Sequence, residues 1–202
     1  MDKKHKNIVI WLGFVCFLIF LTVVVGGLTR LTISGLSITS WDPVMGAIPP
    51  LTLEAWTEAF EAYKQIPQYE LLNKGMTLDQ FKTIFYWEYF HRLIGRVIGL
   101  AFFVPLVIFQ LRGYFTKSLA IKMWFGLTLG GSQGLLGWYM VKSGLVHNPF
   151  VSHYRLASHL LLAFAIYGYL VWQILNLVRG PKSSQSHNLY ASSQVIFAVI
   201  VL

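Results

Sequence analysis

Ionisable side chains are costly inside a bilayer and usually mark function there. The stretch Trp87-Glu88-Tyr89-Phe90-His91-Arg92-Leu93-Ile94-Gly95-Arg96 opens a long apolar run and holds four of them within nine residues. Glu88 and His91 stand three apart and Arg92 is four from Glu88, so on a helix all three share one face, with Arg96 one turn further along. A second block, Tyr154-Arg155-Leu156-Ala157-Ser158-His159, opens another apolar run. His91 lies 20 residues before Leu111, and His159 lies 19 residues before Val178, where the two runs end. At about 1.5 Å of rise per residue, the two imidazoles sit at nearly one depth, toward the outer surface. Two histidines facing each other at one level suit the axial positions of a heme iron. The arginines beside them suit heme propionates. Each residue also has a plainer use, since a histidine at a helix end is commonly an interfacial hydrogen-bonder and arginines snorkel to headgroups. Paired histidines serve electron-transfer cytochromes, quinol oxidoreductases and metal transporters as well, so the residues alone leave the ligand class open.

The elements that must position these groups are hydrophobic helices. Of 202 residues, 55% are apolar and only 12% are charged, about half the charge of a soluble domain. A bilayer-spanning helix needs roughly 20 mostly apolar residues. Four segments qualify: 8–27, 92–111, 123–141 and 156–178. A fifth run, V-I-F-A-V-I-V-L, occupies 195–202 and is too short to cross. It reads as an incomplete span, and the chain as a fragment or the product of a broken reading frame. The first run follows Lys3, Lys4 and Lys6 as a signal peptide would, but it is too long and no A-x-A-like site follows. The expected fold is therefore an all-α integral membrane protein. It has a cytoplasmic tail (1–7), a four-helix transmembrane bundle (8–178) with an outer loop (28–87), a cytoplasmic linker (179–194) and the start of a fifth span (195–202).

A net charge of +8 would point to nucleic acid in a soluble protein. Its distribution excludes that reading. Lys3, Lys4 and Lys6 precede the first run, Arg112, Lys117 and Lys122 lie between the second and third, and Arg179 and Lys182 follow the fourth. These are alternate loops on one side, which the positive-inside rule makes cytoplasmic. The 28–87 loop carries six acids against four bases and falls outside. The expected location is the cell inner membrane, multi-pass, with the amino terminus in the cytoplasm. Cys16 is the single cysteine, which removes any disulfide and any thiol-based mechanism. His147 and His153 fall in a short outer loop, and His5 and His187 on the cytoplasmic side, where solvated histidines need no explanation.

The outer loop is too long for a plain connection. Leu53, Trp56, Phe60 and Tyr63 recur at helical spacing with Glu54, Glu58 and Glu61 off the stripe, which predicts an amphipathic helix. It either lies on the membrane or over a site, or packs against the helix tops. Thr77 with Gln80 fits a capping box, so a helix starts there and can run into the second span. Pro105 breaks the hydrogen-bond ladder of that span, where a neighbouring helix can re-satisfy the carbonyl it frees. Gly126, Gly130 and Gly134 line one face of the third span. Close helix packing is the default explanation, and a groove admitting a flat ligand is the sharper one. No repeat between the two helix pairs is legible.

Several blocks resemble one known family. They are Gly26-Gly27-Leu28-Thr29-Arg30-Leu31-Thr32, Ser34-Gly35-Leu36-Ser37, Trp41-Asp42-Pro43-Val44, Gly46-Ala47-Ile48-Pro49-Pro50 and Tyr69-Glu70-Leu71-Leu72-Asn73-Lys74-Gly75-Met76. The Glu88–Arg96 block, Gln133-Gly134-Leu135-Leu136-Gly137-Trp138-Tyr139-Met140-Val141-Lys142-Ser143-Gly144-Leu145 and the block ending at His159-Leu160 complete the set. Together they resemble the amino-terminal half of heme A synthases, in the branch lacking a cysteine pair in the first outer loop.

The resemblance implies eight spans in two four-helix halves, each presenting a histidine pair to a heme. It implies oxidation of a methyl group of heme O to the formyl group of heme A for cytochrome oxidase. His91 and His159 would be the axial ligands of the substrate heme, Arg92 and Arg96 would lie beside it, and Glu88 would be the catalytic acid. A heme b is implied for the second half, outside this chain. Membrane lipid, heme O, heme O synthase and the carboxy-terminal half are the implied partners, with no nucleic acid. A heme-binding module without catalysis, or an inactive fragment, are the competing readings.

Overall fold

The computed structural model describes residues 2–40, 45–144 and 149–179. Five helices follow in order: α1 (Lys3–Leu31), α2 (Leu53–Lys64), α3 (Leu78–Leu111), α4 (Lys117–Gly144) and α5 (His153–Arg179). A 3-10 turn at Met45–Ala47 and a π-helical turn at Tyr69–Asn73 lie in the outer loop. No strand occurs among the described residues. Three helices there, α1, α3 and α5, are long and apolar enough to cross a membrane. The expected span 123–141 lies within α4, whose 28 residues are long enough. Its five glycines between Gly126 and Gly137, with Thr128, Ser132 and Gln133, dilute the apolar content, and α4 does not reach the same mark. The expected incomplete span 195–202 and the linker residues 180–194 lie outside the described residues.

Local chemistry sets the helix ends. The Asp2 carboxylate accepts from the His5 amide at 2.7 Å and caps α1. That hydrogen bond holds the Asp2 carboxyl below its ordinary value. At α3 the expected capping box is complete: Gln80 Oε1 accepts from the Thr77 amide, and Thr77 Oγ1 from the Gln80 amide. The helix then runs 34 residues without interruption, from the outer layer into the span. Gly113, at φ +63°, turns the chain after α3, where a side chain would be strained. Lys4 Nζ donates to the Gly113 carbonyl at 3.0 Å, which ties the start of α1 to the end of α3 and makes these helices antiparallel.

Packing divides into two apolar clusters. Within the bundle, α1 packs chiefly on α3 and α5, and α4 chiefly on α5. Ile8, Leu12, Val15, Leu106, Met123 and Leu170 are sealed at its centre. Burying each such side chain contributes about 1.5–3 kcal/mol relative to exposure in water. Pro105 has no N–H to close the ladder onto Ala101. The Trp11 indole N–H of α1 donates to that carbonyl at 2.8 Å, so a neighbouring helix re-satisfies it. The second cluster decides between the two uses expected of the amphipathic helix. Trp56, Phe60 and Tyr63 of α2 pack on Phe81, Phe85 and Tyr89 of α3, so α2 covers the outer turns of that helix. Leu53, the first residue of the predicted stripe, is 70% exposed and takes no part.

Candidate functional site

The face predicted for α3 exists, and its residues divide into two uses. Glu88 is 2% exposed. Its Oε2 accepts from Ser37 Oγ at 2.8 Å and from the Ile38 amide at 2.9 Å. Its Oε1 accepts from Arg92 Nε at 3.0 Å and from Arg92 Nη2 at 2.6 Å. A buried carboxylate needs this many partners, because an uncompensated charge there is expensive. The same guanidinium donates to the carbonyls of Ile38 at 2.9 Å and Ser40 at 3.1 Å. Glu88 and Arg92 therefore clamp the 37–40 segment onto α3. Ser37 stands in one of the blocks that carry the family resemblance, but nothing in the sequence marked it as a donor to Glu88.

His91, one turn along from Glu88, sits against α1. A β-carbon at Gly26 would lie 2.9 Å from His91 Cε1 and 3.2 Å from Nδ1. The Nδ1 atom is buried without a hydrogen-bond partner, and the ring meets the Thr22 backbone. His159 sits in the same way against α4. A β-carbon at Gly137 would lie 3.0 Å from His159 Cε1, and here too Nδ1 is buried and unpartnered. Gln133 Nε2 donates to the His159 carbonyl at 2.9 Å and approaches His159 Nε2 at 3.4 Å, while its Oε1 is buried without a partner. The two imidazoles are near enough to interact electrostatically.

This geometry suits a metal already held by a macrocycle. Two imidazoles are too few for a bare ion, and no group of three or more histidine, cysteine or acidic residues that could hold one occurs among the described residues. Two are what a heme iron takes from a protein when both axial positions are filled. A β-carbon at Gly126 would stand 3.2 Å from Phe102 with Tyr169 and Leu170 beyond it, a tight helix contact, but one at the exposed Gly130 or Gly134 would meet nothing within 4 Å. Nothing stands within 4 Å of Gly95 or Gly99 on α3 either.

Residues 9–202 match the COX15-CtaA family of cytochrome oxidase assembly proteins. The chain belongs to that family. It is 53% identical over 201 residues to heme A synthase of Parvibaculum lavamentivorans, covering 100% of this chain and 58% of the relative. It is 57% identical over 190 residues to heme A synthase of Nitrosospira multiformis, covering 93% and 53%. Against heme A synthase of Agrobacterium fabrum the identity is 52% over 176 residues, covering 87% and 48%. The chain thus spans about half the length of these relatives. No solved structure matches it.

The other described histidines of this family member, His5 and His153, fall outside the paired site. His153 is the first residue of α5 and is exposed. His5 lies 2.9 Å from Asp2 at the start of α1. His147 and His187 lie outside the described residues. Arg96 follows Arg92 by one turn of α3 on the side away from the outer layer. Gly26, Gly137, Thr22 and Gln133 are the partners of the histidines that the sequence did not single out for that role. Their spacing, a polar residue four positions before a glycine, recurs at Lys122 and Gly126 and so carried no signal of its own.

Proposed function

We propose that this chain is the substrate-binding half of a heme A synthase, which oxidises a ring methyl of heme O to the formyl group of heme A. The single observation that carries the reading is the pair His91 and His159, each seated against a glycine of a neighbouring helix and each with Nδ1 buried and unpartnered. The names of the relatives support the substrate class.

Methyl to formyl is a four-electron oxidation. With water as the oxygen source it releases four protons, and a one-electron acceptor must take the electrons; the heme b implied for the second half is of that class. His91 and His159 hold the substrate iron and so fix the ring in the site. Loss of electrons at the methyl carbon builds positive charge there, which water captures. Glu88 supplies a fixed negative charge near that edge. Both its oxygens are already engaged, so it acts by steadying charge and not as a mobile base. Arg92 holds Glu88 in place, and Arg96 pairs with a propionate. The chain spans the cell inner membrane four times with its amino terminus in the cytoplasm, α4 being the third span. Heme O synthase supplies the substrate, and the carboxy-terminal half completes the enzyme.

A titration of the full chain in detergent with heme O tests this reading. Wild type should give a six-coordinate, low-spin spectrum, and His91→Ala and His159→Ala should each lose it. Equal binding by all three would sink the assignment. The saturation of Glu88 by protein donors favours a second reading, a heme-binding module without catalysis. Heme O bound by the intact protein but never converted, with an electron acceptor present, would select that alternative.

A further inference from the structure

The two histidines are held by the same local device, built twice. On α1, Thr22 and Gly26 are four residues apart, and on α4, Gln133 and Gly137 are four apart, so each pair shares a helix face. Both glycines meet a histidine ring, and both polar residues lie beside that histidine. The three atoms nearest a β-carbon at Gly26 are Cε1, Nδ1 and Nε2 of His91, at 2.9, 3.2 and 3.7 Å. At Gly137 they are the same atoms of His159, at 3.0, 3.6 and 3.8 Å. Gly126 differs: the atoms that would meet its β-carbon belong to three apolar side chains of two other helices. Gly126 is therefore a packing glycine, whereas Gly26 and Gly137 exclude a side chain on account of one imidazole each.

We propose that Gly26 and Gly137 are positioning residues that set the ring planes of His91 and His159, so that both Nε2 atoms address one flat macrocycle. The inference rests on the heme-binding reading above and adds the residues that orient its two ligands. A methyl group at either position would stand within 3.0 Å of a ring carbon, closer than non-bonded carbons approach. The atom it meets is the tip of a side chain, so the cheapest relief is rotation of the imidazole about its own bonds. The helices need not separate. A turned ring carries Nε2 away from the iron, and the ligand is lost while the fold is kept.

The test is a titration of the full chain in detergent with iron protoporphyrin IX, read by absorbance and electron paramagnetic resonance. Gly26→Ala and Gly137→Ala should each convert the low-spin signal largely to high-spin and weaken binding at least tenfold. Gly27→Ala, on the same helix with nothing within 4 Å, should leave both readouts unchanged. In a His91→Ala background, Gly26→Ala should add nothing, because its effect passes through that ring. Circular dichroism should report wild-type helicity for every variant. Low-spin spectra retained by both glycine variants, while the histidine variants lose theirs, would overturn the proposal and leave heme binding standing. Loss of helicity in both glycine variants would overturn it in favour of a packing role. No low-spin signal in the wild type would remove the reading on which it rests.

Discussion

The Trp11 indole nitrogen lies 2.8 Å from the carbonyl oxygen of Ala101, the acceptor that Pro105 leaves without its helical donor. One helix thereby repairs another. Trp11→Phe should keep most of the apolar contact with Phe102, Phe109 and Phe115 while orphaning that carbonyl. The expected loss is about 1–3 kcal/mol, the cost of a buried acceptor left unpaired. Thermal unfolding in detergent measures it, and Pro105→Ala supplies the control by restoring an N–H within α3. If Trp11→Phe costs as much beside Ala as beside Pro at position 105, the hydrogen bond is not the source.

Glu88 and Arg92 are both buried, with side-chain exposures of 3% and 12%. Removing one partner of such a pair strands the other, at about 3–5 kcal/mol. Arg92→Ala should therefore destabilise the chain, and Arg92→Lys should recover little, because an ammonium cannot serve Glu88 and two carbonyls from one plane. The local readout is hydrogen exchange at the Ile38 amide, which donates to Glu88. Protection there should fall in Glu88→Gln and Arg92→Ala. Unchanged protection would mean that the 37–40 segment is held by something other than the pair.

Much of this architecture was legible because it follows from local rules. Long apolar runs locate α1, α3 and α5, the Trp56-Phe60-Tyr63 spacing locates α2, and Thr77 with Gln80 marks the start of α3. Helical periodicity also puts Glu88, His91 and Arg92 on one face. What periodicity omits is the neighbour. Arg92 was expected to face a ligand, yet its donors reach Ile38 and Ser40, some fifty positions earlier. The glycine seats depend on which helix lies against which, so no single segment could announce them. The membrane status of α4 was less legible for a related reason: glycines that serve its neighbours lower its own apolarity.

Tyr63 is sealed beneath α2, where its hydroxyl donates to Gln68 Oε1 at 3.0 Å and accepts from Asn73 Nδ2 at 2.6 Å. Burial pushes its hydroxyl up from the ordinary tyrosine value, and the Glu88 carboxylate adds to this against the opposing effect of Asn73. A raised value means the folded state favours the neutral phenol. Its contribution is full below about pH 10 and is lost as pH rises through the folded-state value. Wild type should therefore weaken on alkaline titration more than Tyr63→Phe, which should already have lost about 1–3 kcal/mol at neutral pH by stranding Gln68 and Asn73. Parallel alkaline profiles for the two proteins would refute the linkage.

Gly126 and Gly130 lie one turn apart on α4 and make opposite predictions. A β-carbon at Gly126 would stand 3.2 Å from Phe102 Cζ in a buried contact, so Gly126→Ala should overpack and lower the unfolding temperature. At Gly130 nothing lies within 4 Å, and alanine should be neutral or stabilise by up to about 1 kcal/mol through helix propensity. Bulk separates the two explanations of the glycine face. If the space beside Gly130 admits the edge of a macrocycle, Gly130→Leu should weaken heme uptake without lowering thermal stability. If that space is merely exposed helix surface, Gly130→Leu should bind heme as wild type does. The pair of measurements, unfolding temperature and heme titration on one preparation, therefore distinguishes a groove from a packing seam turn by turn along α4.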